Sequence, residues 1–148
     1  MLVIDEFQDI LHGGVQRQKK FLATVKHLSN ELQIPIVAAG VEKTQQVISS
    51  DPQMANRFEP IHLPKWKFDD EFKKLLVSIE STLPLKKASL LHTKKIAAML
   101  YGMSEGIIGE LMTVVQRAGV LAVKEGKEKI DEEILKSIRF MRPSDRRL

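Results

Sequence analysis

The chain has 148 residues, of which 43% are hydrophobic and 28% are charged, and its net charge is +4. This composition is typical of one globular domain or slightly more, and it argues against disorder. The absence of cysteine excludes disulfides and thiolate metal sites, and no apolar run reaches the roughly 18 residues that span a bilayer. We therefore expect a cytoplasmic protein without a membrane partner.

The first part of the chain alternates short apolar runs with helical patterns. The apolar runs predict strands over 2–4 and 34–39 and a third, shorter strand over 58–63. Apolar residues at i, i+3, i+4 and i+7 predict a helix over 15–32, and a shorter helix is predicted over 42–49. Two unbroken apolar strands separated by an amphipathic helix favour an α/β fold, with a parallel sheet covered on both faces.

Beyond residue 66 the pattern becomes helical. Apolar spacing predicts four helices and no further strand, with the apolar positions lying within 72–79, 96–100, 107–122 and 134–138. Asp131 is a candidate N-cap of the last helix, and Ser104 or Gly106 is a candidate start of the third. The predicted domains are therefore an α/β part over 1–66 and a helical part over 67–148.

Two adjacent carboxylates, Asp5 and Glu6, follow the first strand directly. Ligands of open parallel sheets lie beyond the carboxyl ends of the strands. Magnesium bound to nucleotide phosphates needs one or two protein oxygens, and a second carboxylate can polarise the attacking water. The pair predicts either such a site or merely a buried strand that ends at two charges, and the residues alone leave both open.

Basic residues form two clusters. One lies on the predicted early helix and the other in the last ten residues: Arg17, Lys19, Lys20 and Lys26, then Arg139, Arg142, Arg146 and Arg147. Each cluster is either a solvated surface or a set of phosphate contacts with DNA. The four histidines have no ligand spacing, so a zinc site is not expected.

Four blocks carry a family resemblance: IDEFQDIL, RQKKFLATVKHLSNELQIPIVAAG, DPQMANRFEPIHLPKW and SEGIIGELMTVVQRAG. In this order they resemble the TniB and TnsC family of AAA+ transposition ATPases over essentially the whole chain. The resemblance implies the rear part of a P-loop AAA+ parallel sheet, starting at the Walker B strand, followed by an all-helical lid subdomain. It also implies an ATPase that assembles as a ring or filament on target DNA and recruits or activates a transposase, together with target-selection proteins.

The resemblance also implies roles for individual residues. Asp5 is expected to hold Mg²⁺, Glu6 to activate water, and Arg57 to act as an arginine finger on ATP bound by the next subunit. A guanidinium suits that role because it is permanently charged and presents a planar fork of donors. The alternative for Arg57 is a structural salt bridge.

The sequence also departs from the family pattern. It contains no G-x-x-x-x-G-K-[ST] phosphate loop, so we expect a truncated or fragmentary ATPase that binds neither ATP nor Mg²⁺ tightly alone. Val41 stands where a polar phosphate sensor is usual and cannot donate a side-chain hydrogen bond, so the sensor is either missing or moved to Thr44. The turn over 106–110 has no basic residue to act as the sensor of the lid.

Two other functions remain open at this point. The chain as printed could be a non-enzymatic DNA-binding or adaptor module, in which the basic cluster around Arg17, Lys19 and Lys20 contacts phosphates. It could also be a segment of another AAA+ machine, of the replication-initiator or secretion type. The missing phosphate loop favours the adaptor, whereas the order of the four blocks favours the transposition ATPase.

Overall fold

A computed structural model describes residues 1–146, and Arg147 of the predicted C-terminal basic cluster lies outside the described residues. The chain divides into two compact units, Met1–His62 and a second unit that begins at Leu63. Each unit has its own hydrophobic core. The chain is mostly helical with a small parallel sheet, which is compatible with a fragment of an α/β fold.

The first unit is built on two parallel strands. Strand β1 (Leu2–Ile4) pairs with β2 (Ile36–Ala38) in the register Leu2↔Ile36, Val3↔Val37 and Ile4↔Ala38. The helices are α1 (Val15–Leu32), α2 (Glu42–Ser49) and α3 (Pro52–Ala55), and a 3₁₀ helix covers Phe7–His12. The two longer helices have the predicted bounds, 15–32 and 42–49.

One face of this sheet is buried. Ile4, Ile36 and Ala38 pack against a core of buried side chains, which are Phe7, Leu22, Val25, Val47 and Met54. Side chains alternate between the faces of a strand, so Val3 and Val37 lie on the other face, where they are 54% and 44% exposed. The predicted cover on both faces is therefore wrong for the part of the chain that the structure describes.

The predicted third strand over 58–63 is also wrong, because no strand forms there among the described residues. Ile61 is 84% exposed and the following Leu63 is 93% exposed. Pro60 and Pro64 have no backbone N–H to donate to a neighbouring strand. The apolar side chains of this segment favour a strand but cannot replace those missing backbone hydrogen bonds. Just before this segment the chain forms the short helix α3. Its N-cap Asp51 accepts hydrogen bonds from the backbone N–H groups of Gln53 and Met54.

The second unit contains the four predicted helices. They are α4 (Asp70–Ser81), α5 (Lys94–Ser104), α6 (Ile108–Lys124) and α7 (Glu132–Ser137), and a short 3₁₀ helix covers Ser144–Arg146. Their core includes the fully buried Phe72, Leu76, Leu100, Val114 and Ile134. No single helix in the described chain is long and apolar enough to cross a membrane; α5 and α6 pass that test only as a pair bent by 119°.

Asp131 caps α7 as predicted, since its carboxylate accepts a hydrogen bond from the Ile134 N–H at 3.0 Å. That bond holds the pKa of Asp131 below its ordinary 3.8. A carboxylate with a lowered folded-state pKa stabilises the fold above the unfolded pKa, and this contribution is lost as pH falls through the folded pKa.

We therefore expect Asp131→Ala to cost about 1 kcal/mol of unfolding free energy at neutral pH. The difference from the unmodified chain should shrink below pH 3.8. Urea denaturation followed by the fluorescence of Trp66, the single tryptophan, measures it. Asp131→Asn keeps a capping oxygen and should show little loss at neutral pH; a loss equal to that of Asp131→Ala would contradict the capping role.

Candidate functional site

The adjacent carboxylates Asp5 and Glu6 lie at the carboxyl ends of the parallel strands of the first unit. The backbone N–H of Phe7 donates to the Ala39 carbonyl at 3.0 Å, and the Ala39 N–H donates to the Ile4 carbonyl at 2.8 Å. These bonds continue the ladder beyond β1 and β2, so Asp5 and Glu6 are held against the end of the neighbouring strand. The structure thus places them at the edge where ligands of parallel sheets bind.

The backbone turns sharply at this edge. Glu6 adopts φ 50° and ψ 40°, which is the left-handed region, and its N–H donates to Oδ1 of Asp5 at 2.8 Å. A residue with a Cβ is uncommon in this region and costs roughly 1–2 kcal/mol there. The hydrogen bond from the Glu6 N–H to Asp5 and the hydrogen bond from the Phe7 N–H to Ala39 offset that strain. Together they fix the backbone from which the two carboxylate side chains extend.

Gln8 links Glu6 to the end of the second strand. Its Nε2 donates to Oε2 of Glu6, while its Oε1 accepts from the Val41 N–H at 3.1 Å and from the Thr44 hydroxyl at 3.0 Å. One amide side chain therefore connects the segment after β1 with the segment after β2. Through it, the structure brings together three predicted site residues, which are Asp5, Glu6 and Thr44.

Thr44 is nearly buried, with 7% of its surface exposed. A hydroxyl has a single hydrogen to donate, and Thr44 donates it to Gln8. In this arrangement Thr44 can only accept a further hydrogen bond. A phosphate oxygen, which is an acceptor, would therefore have to displace Gln8 before Thr44 could sense it.

The network depends on a glycine. A Cβ at Gly40 would collide with Oε1 of Gln8 and with the hydroxyl of Thr44. Both atoms are at the ends of side chains, so they can move aside, but only by giving up their mutual hydrogen bond. Gly40 thus leaves room for the amide of Gln8 between the two strand ends.

We expect Gly40→Ala to break the link between Gln8 and Thr44, at a cost of about 1 kcal/mol for the lost hydrogen bond. The Val41 amide, whose acceptor is Gln8, should then exchange with solvent more rapidly by NMR. Gly14→Ala is the matched control, because an added Cβ there meets nothing within 4 Å. Unchanged Val41 exchange in Gly40→Ala would contradict the network.

The donor atoms at this edge suit a hard cation that also binds phosphate. They are carboxylate, amide and hydroxyl oxygens, and Oδ2 of Asp5 has no hydrogen-bond partner among residues 1–146. Within these residues no group of three or more His, Cys, Asp or Glu side chains is arranged to hold a metal ion. Magnesium on a nucleotide needs only one or two carboxylates, because phosphates and water complete its shell.

Arg57 lies at the other end of the sheet. Its Nη1 donates to Oδ1 of Asn30 at 2.7 Å, near the end of α1. It lines a cavity of about 290 Å³ together with Pro35 and Ile36, at the start of β2. The structure therefore does not bring Arg57 to Asp5 and Glu6. Arg57 pairs with an amide rather than a carboxylate in the described chain, so the salt bridge considered for it is absent there.

The basic side chains of α1 have different surroundings. Arg17, Lys19 and Lys20 are exposed and have no carboxylate partner among the described residues. Lys26 instead binds Asp51, with Nζ 3.0 Å from Oδ2. That hydrogen bond lowers the pKa of Asp51 below its ordinary 3.8. Lys26 is therefore engaged within the fold, whereas the other three are available to a partner.

Sequence reasoning missed Gln8, Gly40 and Asn30. Gln8 and Gly40 each lie directly beyond a predicted strand end, so position alone was a usable signal for both. Asn30 gave no signal, because its contact with Arg57 joins residues 27 positions apart.

The geometry defines a parallel α/β fragment with carboxylates and a linked amide at the carboxyl edge of its strands. Residues 1–68 match the family model described as the bacterial TniB protein. The resemblance to the TniB/TnsC family is thereby confirmed over those residues, and it places them in the context of transposition-associated AAA+ proteins. The block over 104–119 lies outside the match, so its resemblance stays a prediction. No curated protein matches the chain.

Proposed function

We propose that the first unit supplies the metal-binding and water-activating side of an ATP site in a TniB-type transposition regulator. In this proposal Asp5 holds Mg²⁺ and Glu6 accepts a proton from the attacking water. The bound metal would neutralise charge on the phosphates. The observation that carries the proposal is the linked set of Asp5, Glu6, Gln8 and Thr44 at the carboxyl edge of the sheet.

The chain's own residues have separable tasks in this site. The Glu6 N–H and Asp5 carboxylate fix each other at 2.8 Å, which keeps one Asp5 oxygen for the ion. Gln8 donates a hydrogen bond to the carboxylate of Glu6 and holds it in place. A general base that is already positioned needs less movement of its side chain before it accepts a proton. Because the printed sequence has no phosphate loop, binding of ATP by these residues alone should be weak and hydrolysis undetectable.

Mn²⁺ replaces Mg²⁺ in the experiment, because its unpaired electrons broaden the NMR signals of nearby nuclei. With millimolar ATP and substoichiometric Mn²⁺, we expect broadening of the amides of Glu6, Gln8 and Thr44. Asp5→Ala should abolish it. Asp9→Ala is the matched control, because Asp9 is an exposed carboxylate whose neighbour is His12, 4.0 Å away.

Two results would overturn the proposal. One is broadening of the amide signals near surface carboxylates in general, with no preference for the carboxyl edge of the sheet. The other is broadening at the edge that survives Asp5→Ala but is lost in Asp9→Ala. Tight ATP binding would instead contradict the expectation that phosphates are held poorly without a phosphate loop.

The second unit and Arg57 fit the same proposal. The four helices α4–α7 would form the lid subdomain, and Arg57 would reach ATP bound by the next subunit of a ring or filament. Arg57 lies near the start of β2, whereas Asp5 follows the end of β1. The two residues are therefore at opposite ends of the sheet, which supports action of Arg57 on ATP bound by another subunit. Transposase and target-selection proteins are the proposed partners of that assembly.

DNA contact is a separate proposal, supported by the exposure of Arg17, Lys19 and Lys20 on α1. Lysine contacts to phosphate are independent of sequence. We expect the double variant Lys19→Ala/Lys20→Ala to weaken DNA binding equally for unrelated duplexes. It should also reduce the slope of log K against log salt by up to about 2.

Titration of a fluorescent duplex at several salt concentrations measures this effect. The matched control is Lys73→Ala/Lys74→Ala, which removes two adjacent helical lysines that pair with Asp70 and Glu71. Equal affinity and equal salt slope for the Lys19→Ala/Lys20→Ala variant and the unmodified chain would exclude DNA contact by these side chains.

A further inference from the structure

The second unit has a groove at the edge of its core, outside the proposed ATP site of the first unit. The groove lies between α6 and the end of α7 and has a volume of about 410 Å³. That volume is within the range of roughly 300–1,000 Å³ found for ligand pockets. Its principal lining residues are Arg117, Val120, Leu121, Lys124, Ile138 and Arg139.

The floor of the groove is apolar. Val120 is 56% exposed although it lies inside a long helix, and Leu121 and Ile138 beside it are half-buried. The opposite face of α6 is fully occupied, since Val114 and Ala118 are completely buried in the core. Leu121 and Ile138 also pack against the edge of the core, so the groove continues the apolar surface of the unit outward to the exposed Val120.

The rim of the groove is cationic. Lys124 and Arg139 have no carboxylate partner among residues 1–146, and no acidic side chain lines the groove. Arg117 donates to the backbone carbonyl of Arg139 at 3.1 Å and lies 5.8 Å from the centre of the Phe140 ring. Some other cations of this unit are paired instead; Nζ of Lys95, for example, lies 2.6 Å from Oε1 of Glu132. Three positive charges thus surround an apolar surface without compensation.

We propose that this groove docks an acidic amphipathic helix of a partner protein. Apolar side chains of that helix would cover Val120, Leu121 and Ile138, and its carboxylates would pair with Arg117, Lys124 and Arg139. A helix lying in a groove presents apolar residues at i, i+3, i+4 and i+7, and complementary charge sets its orientation. Nucleic acid fits less well, because phosphates would pair with the rim and leave the apolar floor uncovered.

The probe for this proposal is a fluorescein-labelled helical peptide of about 15 residues, with leucine at the i, i+3, i+4 and i+7 positions and glutamate at most others. We expect micromolar binding to the full chain by fluorescence anisotropy. Amide shift changes in NMR spectra should be centred on Val120, Leu121 and Ile138. A peptide with lysine in place of glutamate, and one with serine in place of leucine, should each bind at least tenfold more weakly.

Variants of the groove separate its charge from its apolar floor. Lys124→Glu, which reverses a rim charge, and Val120→Ser, which removes apolar contact without adding charge, should each weaken peptide binding about tenfold. Lys94→Glu is the control for charge, since Lys94 is exposed on α5 and has no carboxylate partner among the described residues. Val123→Ser is the control for the apolar change, since Val123 is 50% exposed on the same helix but does not line the groove.

Both controls should change affinity less than twofold, and Trp66 fluorescence during urea denaturation shows whether each variant is folded. The proposal is overturned if the lysine peptide binds as well as the glutamate peptide, or if the shift changes lie outside the groove. It is also overturned if a DNA duplex binds here with a Lys124→Glu effect while Val120→Ser has none, which would make the groove a nucleic-acid surface. No binding of the glutamate peptide overturns it as well. These outcomes do not depend on whether Asp5 binds a metal.

Discussion

Gly106→Ala is expected to destabilise the second unit by about 2–4 kcal/mol, because backbone strain and a steric clash add. Gly106 has φ +73°, in the left-handed region. An added Cβ would also collide with the carbonyl oxygen of Trp66. The obstacle is backbone, so it cannot rotate away as the end of a side chain can. Moving it would also stretch the bond from the Trp66 N–H to the Gly106 carbonyl, now 2.8 Å.

The measurement is urea denaturation followed by Trp66 fluorescence, since Trp66 packs against the core of the second unit. Gly119→Ala is the matched control inside α6, where an added Cβ meets nothing within 4 Å. It should stabilise the unit by about 0.5–1 kcal/mol, because alanine favours a helix over glycine. Effects of the same sign at the two positions would contradict the tight turn between α5 and α6.

Much of the helical structure could be predicted because helices are local. The helix α1 follows from apolar spacing, and Asp131 carries a capping signal that depends on residues three apart. Local patterns could not decide whether residues 58–63 form a strand, because a strand exists only where it is hydrogen-bonded to a neighbouring strand. The same limit explains β2, which covers only Ile36–Ala38 of its apolar run because β1 offers three residues in register with it.

The candidate site was partly predictable for a similar reason. Asp5 and Glu6 stand directly after an apolar run, and Thr44 was chosen because Val41 lacks a polar side chain. The link between them was not predictable, because it depends on the left-handed turn at Glu6 and on the space that Gly40 leaves for Gln8. Such side-chain hydrogen bonds leave no repeating pattern in the sequence, so they can be identified only once the backbone fold is known.

Glu80→Ala is expected to cost the second unit about 2–4 kcal/mol, because one carboxylate serves three backbone donors. Oε1 of Glu80 accepts from the N–H groups of Ser89 and Leu90, and Oε2 accepts from that of Leu91, all at 2.8 Å. These bonds hold a loop in which Leu90 has φ 53° and Leu91 is fully buried. Alanine leaves the three donors without their acceptor and removes the anchor that opposes the strain at Leu90.

Two variants test whether the carboxylate itself is responsible, again by Trp66 fluorescence in urea. Glu80→Gln keeps one acceptor oxygen, so it should lose part of the stability and fall between the unmodified chain and Glu80→Ala. Glu71→Ala on the same helix removes an exposed carboxylate that pairs with Lys74 at 2.7 Å, and should change stability by less than about 0.5 kcal/mol. A Glu80→Ala effect as small as that of Glu71→Ala would mean that water replaces the carboxylate and that the burial of Leu91 alone holds the loop.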